Sequence, residues 1–158
     1  MPELPEVQTV VNDLNHAALT ELRITGIDVH WPRMIDYPTI AAFKSRLIGR
    51  SIQLIRRRGK YIVLELDQGD RLLIHLRMSG RLRLVDCTAN RDMHEHIMVT
   101  FSDKRQLRMH DTRKFGRWRL EAGDEPSVLD HLGPEPLAKP FTANILAAGL
   151  HRRHRKLK

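Results

Sequence analysis

Apolar residues near the N-terminus recur at spacings of three and four, the period of a helix with one buried face. This stripe consists of Val7, Val10, Val11, Leu14 and Ala18. Pro5 suits the first turn of a helix and Glu6 suits its positive end, so the pattern predicts a helix over residues 5–19. A shorter stripe predicts a second helix over residues 39–47, and its members are Ile40, Phe43 and Leu47.

The middle of the chain alternates between apolar and polar positions, which is the period of a half-buried strand. Clear alternation covers residues 61–66 and 71–78, and a turn separates the two runs. Shorter runs with the same period lie at residues 23–31, 51–56, 82–84, 97–101, 105–110 and 117–120. The pattern therefore predicts a mainly β fold, an antiparallel β-sandwich of seven or eight strands with helices at its edges.

The character of the chain changes near residue 130. Residues 131–140 are rich in residues that break helices and strands, which is typical of a linker. Apolar positions at Phe141, Ile145, Leu146 and Leu150 then predict another helix, followed by a basic tail. We expect a β-sandwich domain over residues 1–130, a linker over 131–140 and the start of a truncated helical domain over 141–158.

The charge balance narrows the choice of partners. Lys and Arg number 27 against 19 Asp and Glu, a net charge of +8 with neutral histidine. Such a basic domain favours a polyanion, with nucleic acid as the first choice and an anionic membrane surface as the rival. No apolar run approaches the ~20 residues of a membrane span, and the opening residues lack the pattern of a signal peptide.

Cys87 is the single cysteine, so neither an internal disulfide nor a cysteine zinc site can be built from these residues. Its isolation is typical of a protein of the reducing cytoplasm.

The opening residues, MPELPE, have a structural and a chemical interpretation. The structural one is a helix entry with an acidic first turn, and on these residues alone it is the better one. In the chemical one, removal of Met1 leaves Pro2 as a secondary amine with a pKa of about 8, partly neutral at neutral pH. Its attack on a sugar C1′ would give an iminium that permits β-elimination of phosphate, and Glu3 and Glu6 lie close enough to share acid and base roles.

Five motifs resemble, in the same order, those of the formamidopyrimidine-DNA glycosylase family, bacterial enzymes that remove oxidised purines. They are MPELPEV at residues 1–7, RGKY at 58–61, HLRMSG at 75–80, DTRKFG at 111–116 and HLGPEPL at 131–137. Leu4 fits this branch, since related endonuclease-type glycosylases usually have glycine there. Because the motifs extend over the whole chain, the resemblance favours the chemical interpretation of the N-terminus.

The resemblance implies a base-excision-repair DNA glycosylase that removes 8-oxoguanine and formamidopyrimidines and has AP-lyase (β,δ-elimination) activity. Pro2 matches the family's Schiff-base nucleophile, and Glu3 matches the general acid or base that helps to open the deoxyribose ring. Glu6 matches a residue that supports the same chemistry. Lys60 matches a lysine that contacts the phosphate beside the lesion and assists elimination.

Other positions match family residues that contact DNA or fill a gap in it. The resemblance implies that His94, Arg113 and Arg153 contact DNA, and that Met78, Arg113 and Phe115 fill the gap left by the everted nucleotide. A glycosylase must flip its target base out of the stack, and apolar side chains can occupy the resulting gap. Arg113 can hydrogen-bond the orphaned base, for which we expect cytosine.

Several of these residues also have ordinary interpretations. Met78 ends an apolar row, so core packing is its default, and Lys60 alone would be a cation at the start of a strand. Phe115 is flanked by cations and glycine, which favours DNA contact even without the family. His94 and His96 could share a strand face as metal ligands, but no third ligand is evident, so we expect phosphate contact for His94 instead.

The chain also departs from the family. Gln8 stands where glutamate is common, and Thr112 replaces a common proline. The family continues into a helix–two-turns–helix domain and a four-cysteine zinc finger, neither of which these residues contain. The resemblance therefore implies an N-terminal catalytic domain with no metal or cofactor of its own, and with fewer phosphate contacts to drive DNA affinity.

The expected partner is damaged double-stranded DNA, which a monomer binds in the bacterial cytoplasm. No membrane partner is expected. An inactive or non-catalytic DNA-binding module of the same fold is the alternative function. A basic β-domain that binds RNA or a protein is a more remote one.

Overall fold

The computed structural model describes residues 1–152, among which lie three α-helices and nine β-strands. The helices are α1 (Leu4–His16), α2 (Ile40–Leu47) and α3 (Ala143–His151). The strands are β1 (Ile24–Val29), β2 (Ile35–Tyr37), β3 (Ile52–Arg58), β4 (Tyr61–Leu66), β5 (Arg71–His75), β6 (Arg81–Asp86), β7 (Glu95–Phe101), β8 (Arg105–His110) and β9 (Arg117–Glu121).

The chain forms two compact units, residues 1–127 and a second that starts at Val128. All nine strands belong to the first unit, whereas the second contains a short 3-10 turn at Val128–His131 and helix α3. The predicted division into residues 1–130, 131–140 and 141–158 stays a prediction.

The strands of the first unit form two sheets. The order is β1-β7-β8-β6 in the four-stranded sheet and β2-β9-β5-β4-β3 in the five-stranded sheet. Every pair is antiparallel except β2 with β9, which run parallel. One buried cluster draws side chains from both sheets and from α1 and α2, for example Val11, Phe43, Leu64, Phe101 and Trp118. The predicted mainly β class, with an N-terminal helix and a second short helix, is confirmed.

Three local differences from the predicted elements have simple causes. Helix α1 stops at His16 because Ala18 takes a left-handed backbone conformation with φ of 52°. Strand β5 stops at His75, short of residue 78, because Arg77 is also left-handed (φ 58°) and the chain turns there. Strand β2 is only three residues long, too short for alternation to reveal it.

Two connections between the sheets lie at the same end of the molecule. Residues 76–80 lead from β5 to β6, and residues 111–116, which we call the wedge loop, lead from β8 to β9. In the five-stranded sheet, Tyr61 pairs with His75 and His75 with Arg117, so the Gly59-Lys60 turn before Tyr61 lies at this end as well. No helix within residues 1–152 has the length and apolar composition needed to span a bilayer.

Candidate active site at the N-terminus

The N-terminus of α1 meets the turn between β3 and β4 through an ion pair. The Nζ atom of Lys60 lies 2.6 Å from Oε2 of Glu3. Glu3 is the N-cap of α1, and its backbone N–H donates to Oε2 of Glu6 at 3.0 Å, while its carbonyl accepts from the N–H of Val7. These bonds satisfy groups that a helix start leaves free. They fix both carboxylates directly after Pro2.

Gly59 makes this approach possible. Its φ of 56° is left-handed, which a glycine adopts without steric cost, and Gly59-Lys60 forms the two-residue turn between the paired Arg58 and Tyr61. The tight turn brings Lys60 over Glu3. The sequence-predicted residues Glu3, Glu6 and Lys60 are therefore brought together beside Pro2.

A cavity of about 730 Å³ opens beside the helix start. Pro2 and Glu6 form one part of its wall, and Met78, His110 and Thr112 form another. Met1 is half exposed at the same place. The cavity therefore has at its edge the one residue whose nitrogen would become a free amine after loss of Met1.

Met78 and Phe115 both line a second cavity of about 340 Å³, which Met1 and Arg117 also line. Met78 is 44% exposed and Phe115 is 46% exposed, so the interpretation of Met78 as a core residue is wrong. The guanidinium carbon of Arg113 lies 5.0 Å from the centroid of the Phe115 ring. The three residues predicted to fill the gap in DNA thus lie near each other and near the N-terminus.

Asp111 holds the wedge loop in shape. This fully buried carboxylate accepts hydrogen bonds from the Ser79 hydroxyl (2.5 Å), from the Gly116 N–H (2.8 Å) and from the Arg113 N–H (3.1 Å). Burial raises its pKa, but these bonds together with one from the Lys114 N–H outweigh burial, so the pKa lies below its ordinary value. Asp111 therefore joins the wedge loop to the turn that carries Met78.

Gly116 and Gly80 lie where these segments approach Met109. A Cβ atom on Gly116 would lie 2.1 Å from the Met109 Cε, and one on Gly80 would lie 2.4 Å from the carbonyl oxygen of Leu76. Glycine at both positions allows the two connections to pack closely.

His75 is a candidate functional residue that the sequence reasoning did not single out, although it opens the HLRMSG motif. Burial, followed by the nearby charges of Arg77 and Lys60, lowers its pKa from 6.5 to about 4. Its Nδ1 atom accepts the Arg77 N–H at 3.0 Å, so the neutral ring carries its proton on Nε2. A neutral N–H donor beside Lys60 suits an anionic group such as a phosphate.

The low pKa of His75 gives a prediction about stability. In the unfolded chain this histidine takes up a proton as the pH falls through 6.5, whereas in the folded chain it does so only near pH 4. Folding stability should therefore fall as the pH drops from about 6.5 towards 4. We expect His75→Gln to remove about 1 kcal/mol of the difference in unfolding free energy between about pH 7 and about pH 5, measured by urea denaturation.

The exposed His30 supplies the matched control, and His30→Gln should leave this pH dependence as it is. An unchanged pH dependence in His75→Gln would show that the folded state does not hold this ring neutral.

His94 and His96 have separate partners. The His94 carbonyl accepts the Asp111 N–H at 2.9 Å, and the His94 ring lies 5.7 Å from that of His110. His96 is buried, with its Nε2 atom 3.0 Å from the Asp111 carbonyl. Within residues 1–152 no group of three or more His, Cys, Asp or Glu could hold a metal ion.

Two further predictions from the family resemblance concern parts outside this site. The 158 residues include one cysteine, Cys87, so they do not supply the ligands of a four-cysteine zinc finger. Arg153, predicted to contact DNA, lies outside the described residues.

Comparison with known proteins gives a consistent result. Residues 1–118 match the family model described as the formamidopyrimidine-DNA glycosylase N-terminal domain. The chain is 41% identical over 158 residues to the formamidopyrimidine-DNA glycosylase of Protochlamydia amoebophila and 38% identical over 159 residues to that of Herpetosiphon aurantiacus. The alignments cover the whole chain but only 57% and 58% of those relatives, so the chain spans little more than half of their length.

Solved structures agree. A crystal structure of the Lactococcus lactis formamidopyrimidine-DNA glycosylase, bound non-covalently to DNA with an abasic site, superposes with a TM-score of 0.85 at 36% identity, covering 96% of this chain and 58% of that one. A complex of the Lactococcus lactis protein with tetrahydrofuran-containing DNA and an inhibitor gives a TM-score of 0.86 at 37% identity, covering 96% of this chain and 57% of that one.

Proposed function

Because this chain belongs to the formamidopyrimidine-DNA glycosylase family, we propose that it is the catalytic part of a DNA glycosylase that removes oxidised purines and then cleaves the abasic site. The observation that carries the proposal is the arrangement of Glu3 and Lys60, in ion-pair contact directly beside Pro2. The cavity at Pro2 gives the sugar of an extruded nucleotide access to that nitrogen.

In the first chemical step, a bond from C1′ to the Pro2 nitrogen replaces the glycosidic bond from C1′ to the damaged base. With Met1 removed, the lone pair of the Pro2 nitrogen attacks C1′ of the deoxyribose, and the C1′ bond to the damaged base breaks, so the base leaves with the electron pair and takes up a proton. As the nitrogen attacks, the Glu3 carboxylate takes up the proton that the nitrogen loses, and Glu3 then gives this proton to O4′ as the sugar ring opens. The nitrogen and C1′ are left joined as an iminium, a Schiff base that withdraws electrons from C2′.

The second step breaks the DNA strand. Loss of a proton from C2′ pushes an electron pair into the C2′–C3′ bond, and the C3′–O bond breaks with release of the phosphate. Lys60 lies where its ammonium can neutralise the departing phosphate, and neutral His75 can donate a hydrogen bond to a neighbouring one. Repetition at C4′ and C5′ gives δ-elimination.

We assign the distortion of the duplex to Met78, Phe115 and Arg113. Met78 and Phe115 are exposed apolar side chains beside the cavity, suited to fill the gap that the extruded nucleotide leaves. Arg113 stands at Phe115, where its guanidinium can reach the orphaned base. We assign the DNA contact to a monomer acting on damaged duplex in the bacterial cytoplasm.

The test is excision and strand cleavage on a duplex that contains one 8-oxoguanine opposite cytosine, with a chain from which Met1 has been removed. We expect base release and nicking at the lesion, and no nicking by the same chain with Met1 retained. The alternative is a DNA-binding module without chemistry. Its support is the net charge of +8, which favours binding of a polyanion whether or not chemistry follows. Salt-sensitive binding of the duplex with neither base release nor nicking would favour that alternative.

A further inference from the structure

Trp31, to which the sequence reasoning gave no role, is held firmly between β1 and the short turn Pro32–Met34. The N–H of His30 donates to the His96 carbonyl at 2.7 Å, and the N–H of Met34 donates to the Trp31 carbonyl at 3.1 Å. Met34 is fully buried. The backbone on both sides of Trp31 is therefore fixed, and its half-buried indole is a rigid surface.

The ammonium of Lys114 lies over this indole, 4.1 Å from the ring centroid, which is a cation–π contact. Lys114 is the middle residue of the wedge loop between the exposed Arg113 and Phe115. Its φ of 61° is left-handed, which lysine rarely adopts. Lys114 thus combines an unfavourable backbone conformation, at the centre of the wedge loop, with a side-chain contact to Trp31.

His96 connects the two partners of this contact. Its carbonyl fixes His30 next to Trp31, and its ring Nε2 lies 3.0 Å from the carbonyl of Asp111 at the start of the wedge loop. Burial lowers the pKa of His96 more than the bond to Asp111 raises it, so the ring is neutral and Nε2–H is the donor in this bond. The segment with Trp31 and the wedge loop are therefore attached to one residue of β7.

Arg117 secures the other end of the loop. Its Nη1 donates to the carbonyls of Lys114, Phe115 and Gly116, at 3.3, 3.1 and 2.8 Å. Hydrogen bonds thus hold the backbone of the loop, and the contact of Lys114 with Trp31 adds a side-chain contact between the centre of the loop and the segment that follows β1.

We propose that Trp31 is a positioning residue for the wedge. Its indole holds the ammonium of Lys114, stabilises the left-handed turn and so keeps Phe115 and Arg113 directed at the gap in the DNA. The inference rests on the proposed function, since a wedge matters only to a protein that opens a duplex. In this proposal the ammonium of Lys114 binds the indole of Trp31. In the competing interpretation it binds a DNA phosphate.

Fluorescence of 2-aminopurine, placed opposite a tetrahydrofuran abasic analogue in a duplex, tests the proposal without any chemistry. Insertion of Phe115 unstacks the reporter and raises its emission. We expect Trp31→Ala and Lys114→Ala to reduce this rise by a similar factor, about threefold, and the double variant to be no worse than either. Trp31→Phe, which keeps an aromatic face, should retain most of the rise.

Two variants separate the side chain from the backbone and from general charge. Lys114→Gly lacks the ammonium but adopts the left-handed conformation without strain, so it should retain more of the rise than Lys114→Ala does. Arg33→Ala removes the other cation near the indole, 5.9 Å from its centroid but outside the wedge loop, and should leave the rise unchanged.

The salt dependence of binding to the same duplex distinguishes the competing interpretation. Loss of a phosphate contact lowers the slope of log affinity against log salt concentration by about 0.9. We expect neither Trp31→Ala nor Lys114→Ala to change the slope. A lower slope for Lys114→Ala with a normal fluorescence rise for Trp31→Ala would overturn the proposal.

The remaining outcomes are also decisive. Circular dichroism shows whether each variant is folded. If Trp31→Ala does not fold, the result for Lys114→Ala decides by itself, and an undiminished rise in that variant overturns the proposal. Absence of any rise with the wild-type chain also overturns it. Excision by the wild-type chain, assayed in parallel, reports on the proposed function separately, because a normal fluorescence rise without base release contradicts only the chemistry.

Discussion

Replacement of Glu3 by Gln is expected to slow excision of 8-oxoguanine by about 100-fold or more, the usual size of a lost general acid or base. An amide has nearly the shape of a carboxylate, and its oxygen can still accept a hydrogen bond from Lys60, which lies 2.6 Å from the Glu3 carboxylate. It can neither take up the proton that the Pro2 nitrogen loses as the base is displaced nor give one to O4′. Single-turnover base release measures the effect, and DNA affinity should change by less than about twofold.

Glu65 offers a matched control for this substitution. It forms an ion pair with Arg56 at the same distance, 2.6 Å, but it lies near the end of β4 that is remote from the Gly59-Lys60 turn. Glu65→Gln should therefore leave excision unchanged. If Glu3→Gln excises the base within a factor of about ten of the wild-type rate, Glu3 is not the proton donor.

Replacement of Asp111 by Ala is expected to lower the free energy of unfolding by about 3 kcal/mol. The substitution removes the Asp111 acceptor of the Ser79 hydroxyl and of the Arg113 N–H, and it leaves the buried N–H of Gly116 without its acceptor. The wedge loop would also lose its link to the turn that carries Met78. Urea denaturation near neutral pH, where Asp111 is ionised, measures the loss.

Asp103 supplies the comparison. It also accepts two hydrogen bonds in a loop, both from Arg105, but it is exposed and lies at the other end of β8 from the wedge loop. Asp103→Ala should cost less than about 1 kcal/mol. Equal losses for the two alanine variants would contradict a special role of Asp111. Asp111→Asn should fall between them, because the amide keeps one acceptor oxygen but places an NH₂ against a donor.

The elements predicted well from the sequence are those with a long, regular pattern. Strands β4 and β8 agree with their predicted bounds and helix α1 differs mainly at its C-terminal end, because each buries one stripe or face in the common core. Strand β5 is shorter than its alternation suggests, since the alternating residues continue into a turn whose left-handed Arg77 no pattern reveals.

The site was predictable only where a motif marked it. Nothing local in the sequence brings Lys60 to Glu3, because their contact depends on how α1 packs against β3 and β4. The neutral state of His75 and the contact of Trp31 with Lys114 likewise arise from tertiary packing. Asp111 belongs to a recognised motif, but its role as an acceptor for the turn at Ser79 becomes visible only in three dimensions.

The most direct test of the central claim is to locate the covalent bond. A chain without Met1 is incubated at low salt with a duplex that carries an abasic site, and borohydride is added to reduce the iminium by adding hydride to C1′. Digestion and mass spectrometry then identify the modified peptide. We expect the sugar on the nitrogen of Pro2, and no such adduct when Met1 is retained. An adduct on Lys60 or another lysine, or no adduct with the Met1-free chain, would contradict the assignment of Pro2 as the nucleophile.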